Sequence, residues 1–437
     1  MEWLLPLSLI FGMLMIFMAT GMPIAFAFIL TSVIGSYFFW GGMAGVDQLA
    51  MSFYSSVTTF ILLPLPLFIL MGNIIHASGI GMDLVNSVDK LLGRLPGRLS
   101  LLAIASGTLL GTMIGISAGT IAILGKSLVP QMADRGYSNS MSLGPVVASG
   151  VLATLIPPSA LAVFMGAIGK VPIGQFLIAI IMPGLILAVL FCLYIVISCM
   201  LHPELAPSYA VSHIPVREKI MIIIRTILPV MFILFACIGV VFKGVATPSE
   251  AAALGVMACY ILAAFYGRLS VKVVKESIVG TIEITGMILM IIVGSISFSR
   301  ILSSSGAIAG LVNMSTSLDV PPMLIIIATQ VVVLILGCFL DPASIIMVTI
   351  PMFMPIVNAL HFNVVWFGCI TLINIQLGLI TPPFGLDCYT LKALVPGVTV
   401  GEVFRSTIPF LGMGAFVIAL IMVFPQIVLW LPTFMAR

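Results

Sequence analysis

Charge is scarce in this chain. Only 7% of its 437 residues are charged, where soluble domains carry about 25%, and those few sit between apolar runs rather than inside them. That excludes the water-soluble globular classes and points to a polytopic, all-α membrane protein whose surroundings are a lipid bilayer. Segments of about 10 residues with alternating polarity, the mark of a transmembrane β-barrel, are missing as well. No Walker-type phosphate loop occurs, so ATP hydrolysis by this chain is not expected. The four histidines lie at borders and connectors without metal-ligand spacing, and no nucleophile–base constellation stands out; neither an enzyme nor a resident cofactor is expected. The seven cysteines (Cys192, Cys199, Cys237, Cys259, Cys338, Cys369, Cys388) form no CxxC pair and read as small hydrophobic filler. The formal net charge of +3 gives no footing for nucleic acid, because the basic residues border apolar spans. The N-terminus lacks a basic n-region, so no cleavable signal peptide is expected.

What the chain does have is proline where an apolar span should be continuous. Pro157-Pro158 and Pro382-Pro383 each interrupt a segment long enough to cross a bilayer. Proline removes a backbone donor and clashes with the preceding turn, so the pair must unwind the helix. Unwound backbone at membrane depth survives only where protein buries it or a cavity hydrates it. Paired breaks in matching places of two halves point to a transporter's binding site.

The halves do match. Pro23 and Pro248, Pro130 and Pro355, and Pro157 and Pro382 are each 225 positions apart; Ser78-Gly79 and Ser305-Gly306 are 227 apart. We therefore divide the chain into repeats 1–212 and 213–437. Each starts with three apolar spans, about 3–20, 21–41 and 57–77, then 220–242, 247–267 and 281–301. An amphipathic stretch follows, and then two apolar segments meeting at a tight, weakly polar turn. These predict re-entrant hairpins over about 98–133 and about 321–360; two full spans joined by a short turn are the alternative. The broken helices follow over about 140–170 and about 364–394, and a long span closes each repeat. Either hairpin reading gives an odd number of crossings per repeat, so the repeats are inverted. Lys90, Arg94, Arg98, Arg135, Arg217, Lys219, Arg268, Lys272, Lys275 and Arg405 collect on one face, against Lys170, Lys243, Arg300 and Arg437 towards the other. The positive-inside rule makes the first face cytoplasmic. Both termini are then periplasmic, the first hairpin opens from the cytoplasm and the second from the periplasm.

Each break offers carbonyls at a helix C-terminus, which suit Na⁺, and N–H groups at a helix N-terminus, which suit a carboxylate. Ser117, Thr120, Thr154 and Ser159 in the first half, and Ser344, Thr381 and Thr349 in the second, add neutral oxygens. The structural reading of such hydroxyls is a local bond to a carbonyl one turn back. Asp341, at the second hairpin tip, is the sharpest single residue: a cation ligand, a proton site, or the N-cap of the helix starting at Pro342. Asp387 comes next, with Glu283 and Glu250 behind it; Glu250 reads as the N3 member of a capping box with Thr247.

Several motifs together carry a family likeness. They are Pro130-Gln131-Met132 with Arg135-Gly136-Tyr137, Ile156-Pro157-Pro158-Ser159, Pro183-Gly184, Gly337-Cys338-Phe339-Leu340-Asp341, Pro351-Met352-Phe353-Met354-Pro355 and Thr381-Pro382-Pro383-Phe384-Gly385. Over essentially its whole length the chain resembles the large membrane subunit (DctM type) of tripartite ATP-independent periplasmic (TRAP) transporters. The resemblance implies an elevator-type carrier of the bacterial or archaeal cytoplasmic membrane that couples organic-acid uptake to Na⁺. It also implies a small four-helix membrane subunit, expected as a separate polypeptide, and a periplasmic binding protein that delivers a carboxylate substrate. Carried over by position, the Na⁺ and substrate regions fall at Ser117, Ala118, Gly119 and Thr120; at Thr154, Pro157, Pro158 and Ser159; at Asp341, Ala343 and Ser344; and at Thr381, Pro382, Pro383 and Gly385. The first tip has fewer serines than the family usually shows, which favours backbone carbonyls there. The Pro-Pro motifs taken singly also fit a stand-alone divalent-anion/cation symporter of the same superfamily.

Overall fold

A computed structural model describes residues 3–93, 95–115, 117–207 and 215–435, and only the backbone at 112–114. Arg94, Ile116, Arg437 and the boundary between the halves at 212 and 213 lie outside the described residues. All regular structure among those described is helical. Among the described residues seven helices are long and apolar enough to cross a membrane, and the pair Asn139–Leu155 and Ala160–Gly169, bent by 48° at its break, makes eight when it is counted as one span.

The order of elements runs twice. Each hairpin has two arms, Arg98–Ile114 and Ser117–Asp134 in the first half, Pro322–Gly337 and Pro342–Ala359 in the second. Each broken helix has two pieces, Asn139–Leu155 and Ala160–Gly169, then Val364–Gly378 and Leu386–Leu394. Small signals recur with them. Ser78 and Ser305 end corresponding helices, and Gly79 (φ 71) and Gly306 (φ 78) follow in the left-handed conformation that glycine tolerates best. Pro157-Pro158 and Pro382-Pro383 both carry a cis peptide bond. The expected capping box at Thr247 and Glu250 is formed, with Thr247 N–H donating to Glu250 Oε2 at 2.8 Å. Thr399 and Glu402 build another at the start of Val400–Val423.

The first pieces of the broken helices occupy the centre. Every side chain from Met141 to Leu155 is buried, as is every one from Val365 to Gly378. Helices hydrophobic all round belong inside a bundle, so these pieces meet protein on all sides and bring the breaks to a protein-lined position. The hairpins clasp them at very short range. A Cβ on Gly111 would lie 2.1 Å from Ala153 Cα, and one on Gly337 would lie 2.8 Å from Gly378 Cα. Those positions correspond between halves, so the same backbone-to-backbone seat occurs twice. The second seat is also pinned by polar groups: Gln330 Nε2 donates to Thr371 Oγ1 at 2.9 Å, and Asn374 Nδ2 to the Gln330 carbonyl at 2.6 Å.

The halves differ where the sequence suggested likeness. The stretch ahead of the third apolar span is a helix, Met43–Val57; it is followed by Phe60–Leu62 and Pro64–Ala77. Its counterpart is a single helix of 34 residues, Val271–Ser304. The reason is local: Pro64 and Pro66 interrupt the first-half element, and no proline falls within Val271–Ser304. Another local effect sits at Pro229, which cannot donate to the carbonyl of Arg225. The chain passes through a π segment at Ile223–Ile227, and the Tyr266 hydroxyl donates to that carbonyl instead.

Candidate functional site

At the first break the chain is extended through Ile156 and Ser159, and the Ser159 side chain caps Ala160–Gly169 by accepting from Ala162 N at 3.2 Å. At the second, Gly385 has φ +49 and a Cβ there would meet Phe404 at 2.5 Å, so only glycine fits. Pro157 and Pro158 are buried, whereas Pro382, Pro383 and Phe384 are exposed. The Phe384 ring lies 5.4 Å from that of Phe339, which brings the second break to the second hairpin tip. The hydroxyls follow the structural reading: Thr154 donates to Val151 O (3.1 Å), Thr349 to Ile345 O (2.7 Å) and Thr381 to Leu377 O (2.7 Å).

Asp341 has the geometry of an N-cap. Its Oδ2 accepts from Ala343 N at 3.1 Å and Ser344 N at 3.3 Å, and its Oδ1 accepts from the Ser344 hydroxyl. Both carboxylate oxygens are thus engaged within the first turn of Pro342–Ala359. Asp387 is the less committed acid. It is 2% exposed; Oδ1 accepts from Ser117 Oγ at 3.0 Å, and Oδ2 is buried without a hydrogen-bond partner. Glu283 is exposed and Glu250 is occupied by its capping box, so both stand apart from the breaks.

The tips of the two hairpins meet. Gly115 and Ser117 of the first, Pro342 and Ala343 of the second, and Thr154, Ala160 and Leu161 at the first break share one cavity of about 70 Å³. Ile69 and Ile288 close it from the opposite side. Ala118, Gly119, Thr381, Pro382, Pro383 and Gly385 are not among its lining residues. A larger cavity of about 830 Å³ lies beside it, and the same helices wall both. Pro64 and Ser295 continue from Ile69 and Ile288; Ile168 and Pro351 continue from Phe164 and Pro342. Ile288 and Ser295 are seven residues apart on one helix, or about 10 Å. Four helices therefore line both cavities, the wide one and the narrow one at the hairpin tips.

The wide cavity is cationic. Lys170 and Arg300 line it, no Asp or Glu does, and neither cation belongs to an ion pair among the described residues. The Arg300 guanidinium is steadied by Ser52 Oγ at 2.7 Å and Ser55 Oγ at 3.3 Å. Ser55 donates its own proton to the Ser52 carbonyl, and a guanidinium has five N–H donors, so these two bonds leave the arginine further donors for an anion. Lys170 holds φ 53, a left-handed conformation uncommon for a residue with a side chain, where it ends the helix Ala160–Gly169. The sequence reading placed both residues at a membrane border and stopped there. The available signal was a lone arginine in the apolar last third of a long helix, and a lysine in a position where helices usually end on glycine.

Residues 11–427 match the family described as the DctM component of tripartite ATP-independent periplasmic transporters. The chain belongs to that family. The uncharacterized protein YgiK of Salmonella typhimurium is 30% identical over 441 residues, covering 100% of this chain and 99% of its own. The C4-dicarboxylate TRAP transporter large permease protein DctM of Pseudomonas aeruginosa is 27% identical, with 89% and 90% covered. Among solved structures, the YdaH transporter of Alcanivorax borkumensis superposes with a TM-score of 0.62 at 14% identity, covering 88% of this chain and 89% of that one; that likeness concerns the fold. Membership of that family makes the chain a TRAP transporter large permease subunit.

Proposed function

We propose that this chain is the permease subunit of a Na⁺-coupled TRAP transporter that takes up a small organic acid. Two cavities walled by the same helices carry the reading: Arg300 and Lys170, outside any ion pair among the described residues, line the wide one, and the two hairpin tips and the first break line the narrow one. A carboxylate drawn to the cations meets helix N-termini and small oxygens at the tips, where dipoles favour it. By the positive-inside rule the wide cavity faces the periplasm, where a binding protein would release its load; relatives named for C4-dicarboxylates and for ectoine are large permeases of such systems.

In this reading the repeats 1–212 and 213–437 supply two bodies. The hairpins and broken helices move together as an elevator, and Ile24–Phe39, Pro64–Ala77, Pro248–Phe265 and Val271–Ser304 form the wall they slide against. A small four-helix subunit joins that wall in the inner membrane. The test is uptake into proteoliposomes by the purified chain, with its small subunit and binding protein added. Accumulation should need an inward Na⁺ gradient and both partners, and should fall to background when any one is omitted. Uptake by the chain alone would instead identify a stand-alone symporter.

A further inference from the structure

Ser117 begins the second arm of the first hairpin, yet it bonds to the other half of the molecule. Its hydroxyl donates to Asp387, which follows the second break, at 3.0 Å. Both residues are nine-tenths or more buried, at 4% and 2% exposure, and the second carboxylate oxygen of Asp387 has no hydrogen-bond partner. The elements packed against Leu386–Leu394 are Ser117–Asp134, Asn139–Leu155 and Val400–Val423. Their charged residues are Lys126, Asp134, Glu402 and Arg405, and Lys392 lies on the same helix; none is ion-paired with Asp387. Lys126, Asp134 and Arg405 are exposed, and Lys126 is nine residues from Ser117, about 13 Å along the helix. A buried carboxylate with one neutral donor lacks the compensation that burial demands.

We propose that Asp387 and Ser117 together ligate a monovalent cation, so that the first hairpin tip uses a carboxylate lent by the opposite repeat. One negative charge matches one positive charge, and no group of three or more His, Cys, Asp or Glu among the described residues offers a divalent site. Hard oxygens suit Na⁺. The position equivalent to Asp387 in the first half is Ala162, 225 residues earlier, so the arrangement occurs once. The inference rests on the Na⁺-coupled reading above, and adds a charged ligand to it and a bond between halves that forms around the ion.

The experiment is thermal unfolding of the purified full-length chain as NaCl replaces choline chloride at constant ionic strength, for wild type, Asp387→Asn and Ser117→Ala. Without Na⁺, Asp387→Asn should be at least as stable as wild type, because it removes an uncompensated charge and keeps the shape. The Na⁺ concentration for half-maximal stabilisation should rise roughly tenfold or more in Asp387→Asn, and less in Ser117→Ala. If Asp387→Asn is less stable than wild type without Na⁺, or responds to Na⁺ as wild type does, the carboxylate is a packing anchor and the proposal fails while Na⁺ coupling stands. If wild type responds to pH and not to Na⁺, and Asp387→Asn loses that response, the ligand is a proton and the proposal fails. A wild type indifferent to both would remove the Na⁺-coupled reading with it.

Discussion

Arg300→Gln should lower the initial rate of acid uptake by roughly ten- to a hundredfold at subsaturating substrate, with the chain still folded. The guanidinium lines the wide cavity, is held by Ser52 and Ser55, and has no acidic partner among the described residues. Charge-assisted bonds from arginine to carboxylate are about twice as strong as neutral ones, and one decade of rate corresponds to about 1.4 kcal/mol. Glutamine keeps a hydrogen-bond donor near the serines, so the loss tests the charge rather than the packing. Arg300→Lys should recover part of the rate, since it restores the charge but not the planar fork. Lys170→Asn should give a smaller loss; asparagine tolerates the left-handed backbone at that position, so the fold is undisturbed. The readout is uptake in proteoliposomes with both partners, paired with the unfolding midpoint of each variant. Uptake by Arg300→Gln at the wild-type rate would move the acid's route elsewhere.

Gly337→Leu should remove most of the folded protein. At that position the first arm of the second hairpin seats directly on Gly378, with backbone on the far side of the contact, and backbone cannot rotate away as a side chain can. Overpacking a well-filled interior costs about 1–3 kcal/mol and sometimes more; here the helices themselves must separate. Gly111→Leu should fail in the same way against Ala153, where even a methyl group would overlap. Gly239→Leu is the control, because a Cβ there meets nothing within 4 Å. Size-exclusion profiles and thermal unfolding of the three variants decide the matter. A monodisperse Gly337→Leu with an unchanged midpoint would mean the hairpin is not clasped to the broken helix.

Much of this architecture was legible because its signals are local and doubled. The Pro-Pro pairs, the Ser-Gly helix ends and the Thr247–Glu250 box each follow from a few adjacent residues, and the second copy of a pattern supports the first. The 34-residue helix was legible only in part: Pro64 and Pro66 explain why one half bends, but an unbroken apolar pattern does not say how far a helix runs. Asp341 shows the limit of a single-residue argument, since a carboxylate before Pro342 satisfies the rules for a cap and for a ligand equally, and the distances to Ala343 N and Ser344 N speak for the cap. Each tip meets the break of its own half, through Phe339 and Phe384 in the second and around Gly115, Ser117, Thr154 and Ala160 in the first. That Ser117 also bonds to Asp387, and that Pro342 shares the cavity of the first break, was not legible, because sequence order carries no information about which half's elements end up side by side.

The proline elbow of the first half and the unbroken rod of the second have a further consequence. An inverted-repeat carrier built from interchangeable parts would reach its second state by having each half adopt the other's shape. Val271–Ser304 has no proline at which to bend, and Pro64 and Pro66 forbid its counterpart from straightening. The halves of this protein therefore cannot trade shapes, and its inward-facing and outward-facing forms should differ in outline as well as in direction.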